Sequence, residues 1–194
     1  MYEIPISIQL GEQSYAIRDK GDYRMVLDCF KALNDDELST QEKIYSSLII
    51  FYDDMEDISD LTVFEDINEA IKEMYKFFNC GGEIIEQVRK MPKLIDWEQD
   101  EQLICSAINK VAGQEIRSIP YVHWWTFMGW YLAIGESPLS HIVGIRNKLA
   151  TNQKLEKYEK KFQQENPQYF TMNFMREEDK EYEDFLNNVW NKGD

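Results

Sequence analysis

Ile119-Pro120-Tyr121-Val122-His123-Trp124-Trp125-Thr126-Phe127-Met128-Gly129-Trp130-Tyr131-Leu132-Ala133-Ile134 is the most apolar run of the chain, and its reading decides the fold. A bilayer span needs ~20 consecutive apolar residues, whereas this run is shorter and carries His123 and Thr126. It reads as a buried helix. Apolar side chains cover most of its faces, as expected of a central helix enclosed by others. Trp124, Trp125, Phe127, Trp130 and Tyr131 would suit base or sugar stacking, but stacking platforms sit in basic grooves and this run holds no Lys or Arg, so core packing is the better reading.

The segments around this run repeat a helical pattern. On the amino-terminal side, Tyr23, Val26, Leu27 and Phe30 recur at i, i+3, i+4, i+7. Ser39-Thr40-Gln41-Glu42 has capping-box spacing and starts a helix buried through Ile44, Leu48, Phe51, Tyr52 and Met55. A further helix is expected from about Thr62 to Asn79, ending at Gly81-Gly82. Beyond Pro92, Asp96 is placed to cap a helix from Trp97 to about Ala112 that Gly113 terminates. Gly135 and Pro138 separate the central run from a short helix near Leu139 to Leu149.

Only the start departs from this period. Ile4-Pro5-Ile6-Ser7-Ile8-Gln9-Leu10 alternates apolar and polar, Gly11-Glu12 supplies a turn, and Gln13 to Arg18 returns as a second strand. After Ala150 the chain turns polar through an exposed helix closed by Pro167, and a last helix, Glu177 to Asn191, carries the stripe Tyr182, Phe185, Leu186 and Val189. The expected fold is mostly α: an N-terminal β-hairpin followed by a multi-helix bundle over 1–150, with a polar C-terminal helical extension over 151–194. The stripe fits packing on the main body or docking of a helix in a partner's groove, since both use the same spacing.

The formal net charge is −15 over 194 residues, and residues 35–73 hold thirteen Asp and Glu against Lys43 and Lys72. Such a field repels phosphate backbones, which excludes nucleic acid as a direct partner. It serves either as a solubilising face or as a docking surface for a basic partner, with Asp53, Asp54, Glu56 and Asp57 at its centre.

Catalytic and metal motifs do not appear. His123 and His141 belong to no HExxH arrangement and read as partly buried polar residues. The chain has no GxSxG elbow, P-loop or GxGxxG. An EF-hand loop beginning at Asp53 would put Ile58 where its central glycine belongs. Cys29, Cys80 and Cys105 lack the two-residue spacing of a redox or zinc pair and read as reduced cysteines of a cytosolic protein. Met1-Tyr2-Glu3-Ile4-Pro5 lacks the features of a secretory signal, so the mature protein is expected to begin there. These features point to a soluble, non-catalytic binding protein with no cofactor, no metal and no membrane partner.

Two segments together are familiar. Asp96-Trp97-Glu98-Gln99-Asp100-Glu101, running into Ala107-Ile108-Asn109-Lys110-Val111-Ala112-Gly113, precedes Tyr121 to Gly129 and then Ile145-Arg146-Asn147-Lys148. The arrangement resembles the bacteriophage gene-product-fifteen family of long-tailed phages and prophages of Gram-positive bacteria. The resemblance implies a tail assembly chaperone of the host cytoplasm, whose partners are the tape-measure protein and other phage tail proteins. It implies no catalytic residues and is compatible with a homo-oligomer. The runner-up is a structural tail component, a completion or connector protein of the virion.

Overall fold

The computed structural model describes residues 3–82 and 92–171 of the chain, in two units. Unit 1 comprises residues 3–82 with 121–128, and unit 2 comprises 92–120 with 129–171.

Unit 1 opens with the expected hairpin. Strands β1 (Ser7–Leu10) and β2 (Gln13–Ala16) pair antiparallel, with Ser7 opposite Ala16 and Leu10 opposite Gln13. Gly11, at a φ of 56°, makes the turn in a region that L side chains disfavour. The alternation buries Ile8 and Leu10 while Ser7 and Gln9 face out.

Three helices follow. Asp22 caps α1 (Tyr23–Leu33) by accepting from the Arg24 amide. Helix α2 (Thr40–Phe51) begins at the predicted capping box, with the Ser39 amide donating to Glu42 and the Glu42 amide to the Ser39 hydroxyl. These bonds hold the Glu42 carboxyl below its usual pKa. The third, α3 (Ile67–Phe78), starts later than Thr62, because a 3-10 helix over Ile58–Val63 intervenes and Asp66 supplies the cap. Its face of Ala70, Ile71, Met74, Phe77 and Phe78 is buried. The rings of Phe51 and Phe78 meet edge to face at 5.6 Å, a preferred aromatic arrangement.

Residues 121–128 of the apolar run complete this unit. The helix of the run, α5 (Trp124–Leu132), is shorter than the sequence suggests, since residues 119 and 120 bend and His123 bridges to Asp22 before it begins. Val122 exchanges bonds with α1: its amide donates to the Asp22 carboxylate at 2.8 Å, and its carbonyl accepts from the Tyr23 amide at 2.9 Å. The Trp124 and Trp125 indoles donate to the Phe78 and Phe77 carbonyls at 2.8 and 3.0 Å. Carbonyls of a last helical turn have no partner inside the helix; the Trp124 indole meets the Phe78 carbonyl, and the Trp125 indole joins the Cys80 amide at the Phe77 carbonyl.

Unit 2 contains α4 (Glu101–Ala112), α6 (Pro138–Ala150) and α7 (Lys157–Glu165). Gly113, at a φ of 72°, ends α4 as predicted. Asp96 caps the turn before α4, accepting from the Glu98 and Gln99 amides at 2.9 and 2.7 Å, while Asp100 turns its carboxylate toward Arg146. Arg146 on α6 is 3% exposed and Asp100 1%. The guanidinium makes a two-pronged pair with Asp100, through Nη1 at 2.6 Å and Nη2 at 2.9 Å. It also donates to the Leu94 carbonyl through Nη1 and to the Tyr169 carbonyl through Nε, at 2.9 and 2.8 Å.

Removing one partner of such a pair strands a buried charge. Arg146→Leu is expected to cost about 3–5 kcal/mol in urea unfolding, and Arg146→Lys an intermediate amount because an ammonium lacks the planar fork. The tryptophans divide similarly: Trp124 is fully buried whereas Trp130 is half-buried. Trp124→Ala should cost about 3–5 kcal/mol and Trp130→Ala only about 1–2 kcal/mol, measured as shifts of the denaturation midpoint at constant slope.

Candidate protein-interaction surface

Residues 53–66 read Asp-Asp-Met-Glu-Asp-Ile-Ser-Asp-Leu-Thr-Val-Phe-Glu-Asp, a polar stretch that needs anchors to hold one shape. Met55, Leu61 and Phe64 provide them by turning into the core. Arg18 Nη2 donates to the carbonyls of Ile49, Tyr52 and Met55 at 3.1, 3.2 and 2.6 Å, which places a cation on the carbonyl end of α2. Tyr15 from β2 donates to the Val63 carbonyl at 3.1 Å, and its ring lies 5.0 Å from that of Phe64.

Two acidic side chains are spent on this architecture. Asp57 accepts from the Ser59 amide at 2.6 Å and from the Ser59 hydroxyl. Asp60 accepts from the amides of Glu56 and Asp57 at 2.8 and 3.0 Å, and these bonds lower its carboxyl pKa. Asp57 and Asp60 thus direct their carboxylates at backbone amides of their own loop. Among the described residues no group of three or more His, Cys, Asp or Glu could hold a metal ion.

Six of the loop's acidic residues are nonetheless open to solvent, Asp57 and Asp66, which accept backbone amides, included. Asp53, Asp54, Glu56, Asp57, Glu65 and Asp66 are exposed, and none makes an ion pair among the described residues. Between them stand Ile58, 56% exposed, and Val63, 50% exposed. The four carboxylates singled out from the sequence, Asp53, Asp54, Glu56 and Asp57, thus share one loop. Tyr182, Phe185, Leu186 and Val189 lie outside the described residues. The two aliphatics were missed because residues 53–66 have no helical or strand period; isolated apolar residues between unpaired carboxylates were the only signal.

The surrounding charge is uneven. Unit 1 carries 18 acidic and 7 basic residues within 3–82 and 121–128, while the described part of unit 2 carries 9 of each. The acidic belt is therefore a property of one unit.

A second apolar surface corrects an expectation. Trp124 and Phe127 are buried in α5, but Trp125, Met128, Trp130 and Tyr131 are only half-buried, Gly129 is exposed and Leu132 is 76% exposed. Composition reports how strongly a face avoids water, not which chain covers it.

Burial raises the pKa of Cys29, Cys80 and Cys105, which keeps all three as neutral thiols, and none is disulfide-bonded. His123 is buried with both ring nitrogens hydrogen-bonded, and His141 packs against the rings of Tyr158 and Phe162. Among the described residues no helix is long and apolar enough to cross a membrane.

No curated protein and no solved structure matches the chain. A family model does, that of the Bacteriophage Gp15 protein, over residues 1–171. The match takes in the hairpin, the acidic loop, the tryptophan-rich segment and the Asp100–Arg146 pair, and the chain belongs to the Bacteriophage Gp15 protein family.

Proposed function

We propose that this phage protein is a non-catalytic tail assembly chaperone that binds the tape-measure protein during tail morphogenesis in the host cytoplasm. The observation that carries this reading is the loop at 53–66, where Ile58 and Val63 stand exposed in a frame of unpaired carboxylates. Such a surface suits a basic partner segment with apolar side chains: the carboxylates steer the encounter and the aliphatics supply contact. A long helical partner that exposes apolar stripes before assembly aggregates unless they are covered, and the uncovered end of α5 around Leu132 adds surface of the same kind. The stripe Tyr182, Phe185, Leu186 and Val189 is the proposed second contact, on helix-in-groove spacing.

The test is co-expression with the phage's tape-measure protein, with binding kinetics measured at several salt concentrations. The triple change Asp53→Asn, Asp54→Asn, Glu56→Gln spares the capping role of Asp57. It should leave stability within about 0.5 kcal/mol, slow association and flatten its salt dependence. An unchanged association rate across ionic strength would return the loop to a solubilising face.

Removing residues 172–194 tests the stripe. The cut falls beyond Gln168, Tyr169 and Thr171, whose carbonyls Gln99 and Arg146 use. The truncated protein should unfold cooperatively yet recover less soluble tape measure; full recovery would place the contact elsewhere. Mass analysis of purified particles separates chaperone from virion component. A chaperone is missing from the particle, whereas a completion or connector protein appears in fixed copy number.

A further inference from the structure

His123 joins the amino-terminal segment to the start of α5, and it uses both ring nitrogens to do so. Nε2 lies 3.0 Å from the Pro5 carbonyl, which can only accept, so Nε2 carries the proton. Nδ1 accepts from the Trp125 amide at 3.1 Å, so Nδ1 must be bare. The two bonds together select the neutral Nε2–H tautomer.

The ring has no room to escape. A Cβ built on Gly21 would stand 3.0 Å from Nε2 and 2.7 Å from Phe77 Cζ, so at this position only glycine, at a φ of 77°, lets the ring pack as it does. The Phe77 and Trp125 rings lie 5.4 and 6.0 Å away, both edge to face. His123 as a whole is 2% exposed.

We propose that His123 is an acid-sensitive latch: a proton from solvent taken up at Nδ1 releases the 121–125 segment from the seam it makes with the amino-terminal segment, α1 and α3. The imidazolium keeps its bond to Pro5 but turns Nδ1 into a donor facing the Trp125 amide, so two N–H groups oppose each other in a buried site. The neighbouring charges do not relieve this. Asp22 of α1 favours the imidazolium, but its carboxylate already accepts from the Val122 amide, the Arg24 amide and the Arg24 guanidinium. The preceding segment presents Tyr121, whose hydroxyl donates to the Lys20 carbonyl. From α3 comes the Phe77 ring, and from the amino-terminal segment the Pro5 carbonyl.

Burial lowers the His123 pKa below its ordinary value, and the sign follows. The latch holds fully above the unfolded-state value of about 6.5 and weakens as pH falls toward the depressed folded-state value. Within that window the opening equilibrium rises about tenfold per pH unit.

The test is amide exchange and imidazole nitrogen NMR on the full chain from about pH 7.5 to 4.5, a range that brackets the histidine titration. The ring of His123 should start as the Nε2–H tautomer, and its protonation should coincide with loss of Trp125 amide protection while the α2 amides of Ile44 and Leu48 stay protected. In His123→Asn the side-chain oxygen can accept the Trp125 amide without titrating, so protection there should be flat over the same range. Trp125 protection that survives ring protonation overturns the latch, as does an equal loss of Trp125 protection in His123→Asn, which has no ring to protonate. Loss of the α2 amides at the same midpoint reduces the effect to global acid unfolding and overturns it too. Should His123→Asn fail to fold, the wild-type ring and amide profiles decide by themselves.

Discussion

A buried guanidinium has to find every partner inside the protein, and Arg146 shows how much structure that demand organises. Its donors reach the Asp100 carboxylate and the carbonyls of Leu94 and Tyr169, so one side chain on α6 ties down the approach to α4 and the segment after α7. Gln99 adds two bonds from the same turn to the carbonyls of Gln168 and Thr171. A buried pair of this kind contributes little net stability over an apolar replacement of the same shape. It does penalise every arrangement in which the charges are separated, and that penalty selects one packing of unit 2. Two of the segments that carry the family resemblance, Asp96–Glu101 and Ile145–Lys148, supply the two sides of this contact.

The same rule shapes unit 1 with neutral groups. At the end of α3 the Phe77 and Phe78 carbonyls accept the Trp125 and Trp124 indoles from a segment more than forty residues later in the chain, Phe77 sharing its carbonyl with the Cys80 amide. Val122 and Asp22 close the other side of that segment. Tryptophan suits the role because its ring supplies apolar area while its single N–H can satisfy a carbonyl. The Tyr23 and Phe127 rings stack at 4.5 Å in the same seam.

Charge and apolar surface are then distributed with a consequence for binding. Unit 1 holds the excess of acidic residues among the described ones, and its loop at 53–66 is anchored at the back, through Met55, Leu61, Phe64 and Arg18, while its front presents carboxylates and two aliphatics. A preorganised face loses less conformational entropy on binding than a mobile loop would. Helix α5 is apolar along its whole length, yet only its first turn is enclosed. Both surfaces are places where the chain leaves apolar area for something else to cover.

Local chemistry was legible from the residues alone. The Ser39–Glu42 capping box, the turn at Gly11, the stop at Gly113 and the alternation of Ile8 and Leu10 each depend on groups a few positions apart, so the sequence by itself determined the hairpin, most helix positions and the mostly α class. It also determined the acidic excess and the grouping of Asp53, Asp54, Glu56 and Asp57. What only the tertiary structure decided depends on partners far apart in the chain. Asp96 fits a helix cap by sequence, but Asp100 is drawn to Arg146, 46 residues on, and α4 begins only at Glu101. Trp130 and Leu132 are as hydrophobic as Trp124 and Phe127, yet only the latter pair is enclosed, because burial requires a neighbouring surface and hydrophobicity specifies none. His123 reads as an ordinary polar residue until Pro5, Gly21 and Trp125 surround it, and its tautomer is set by the two groups those contacts provide.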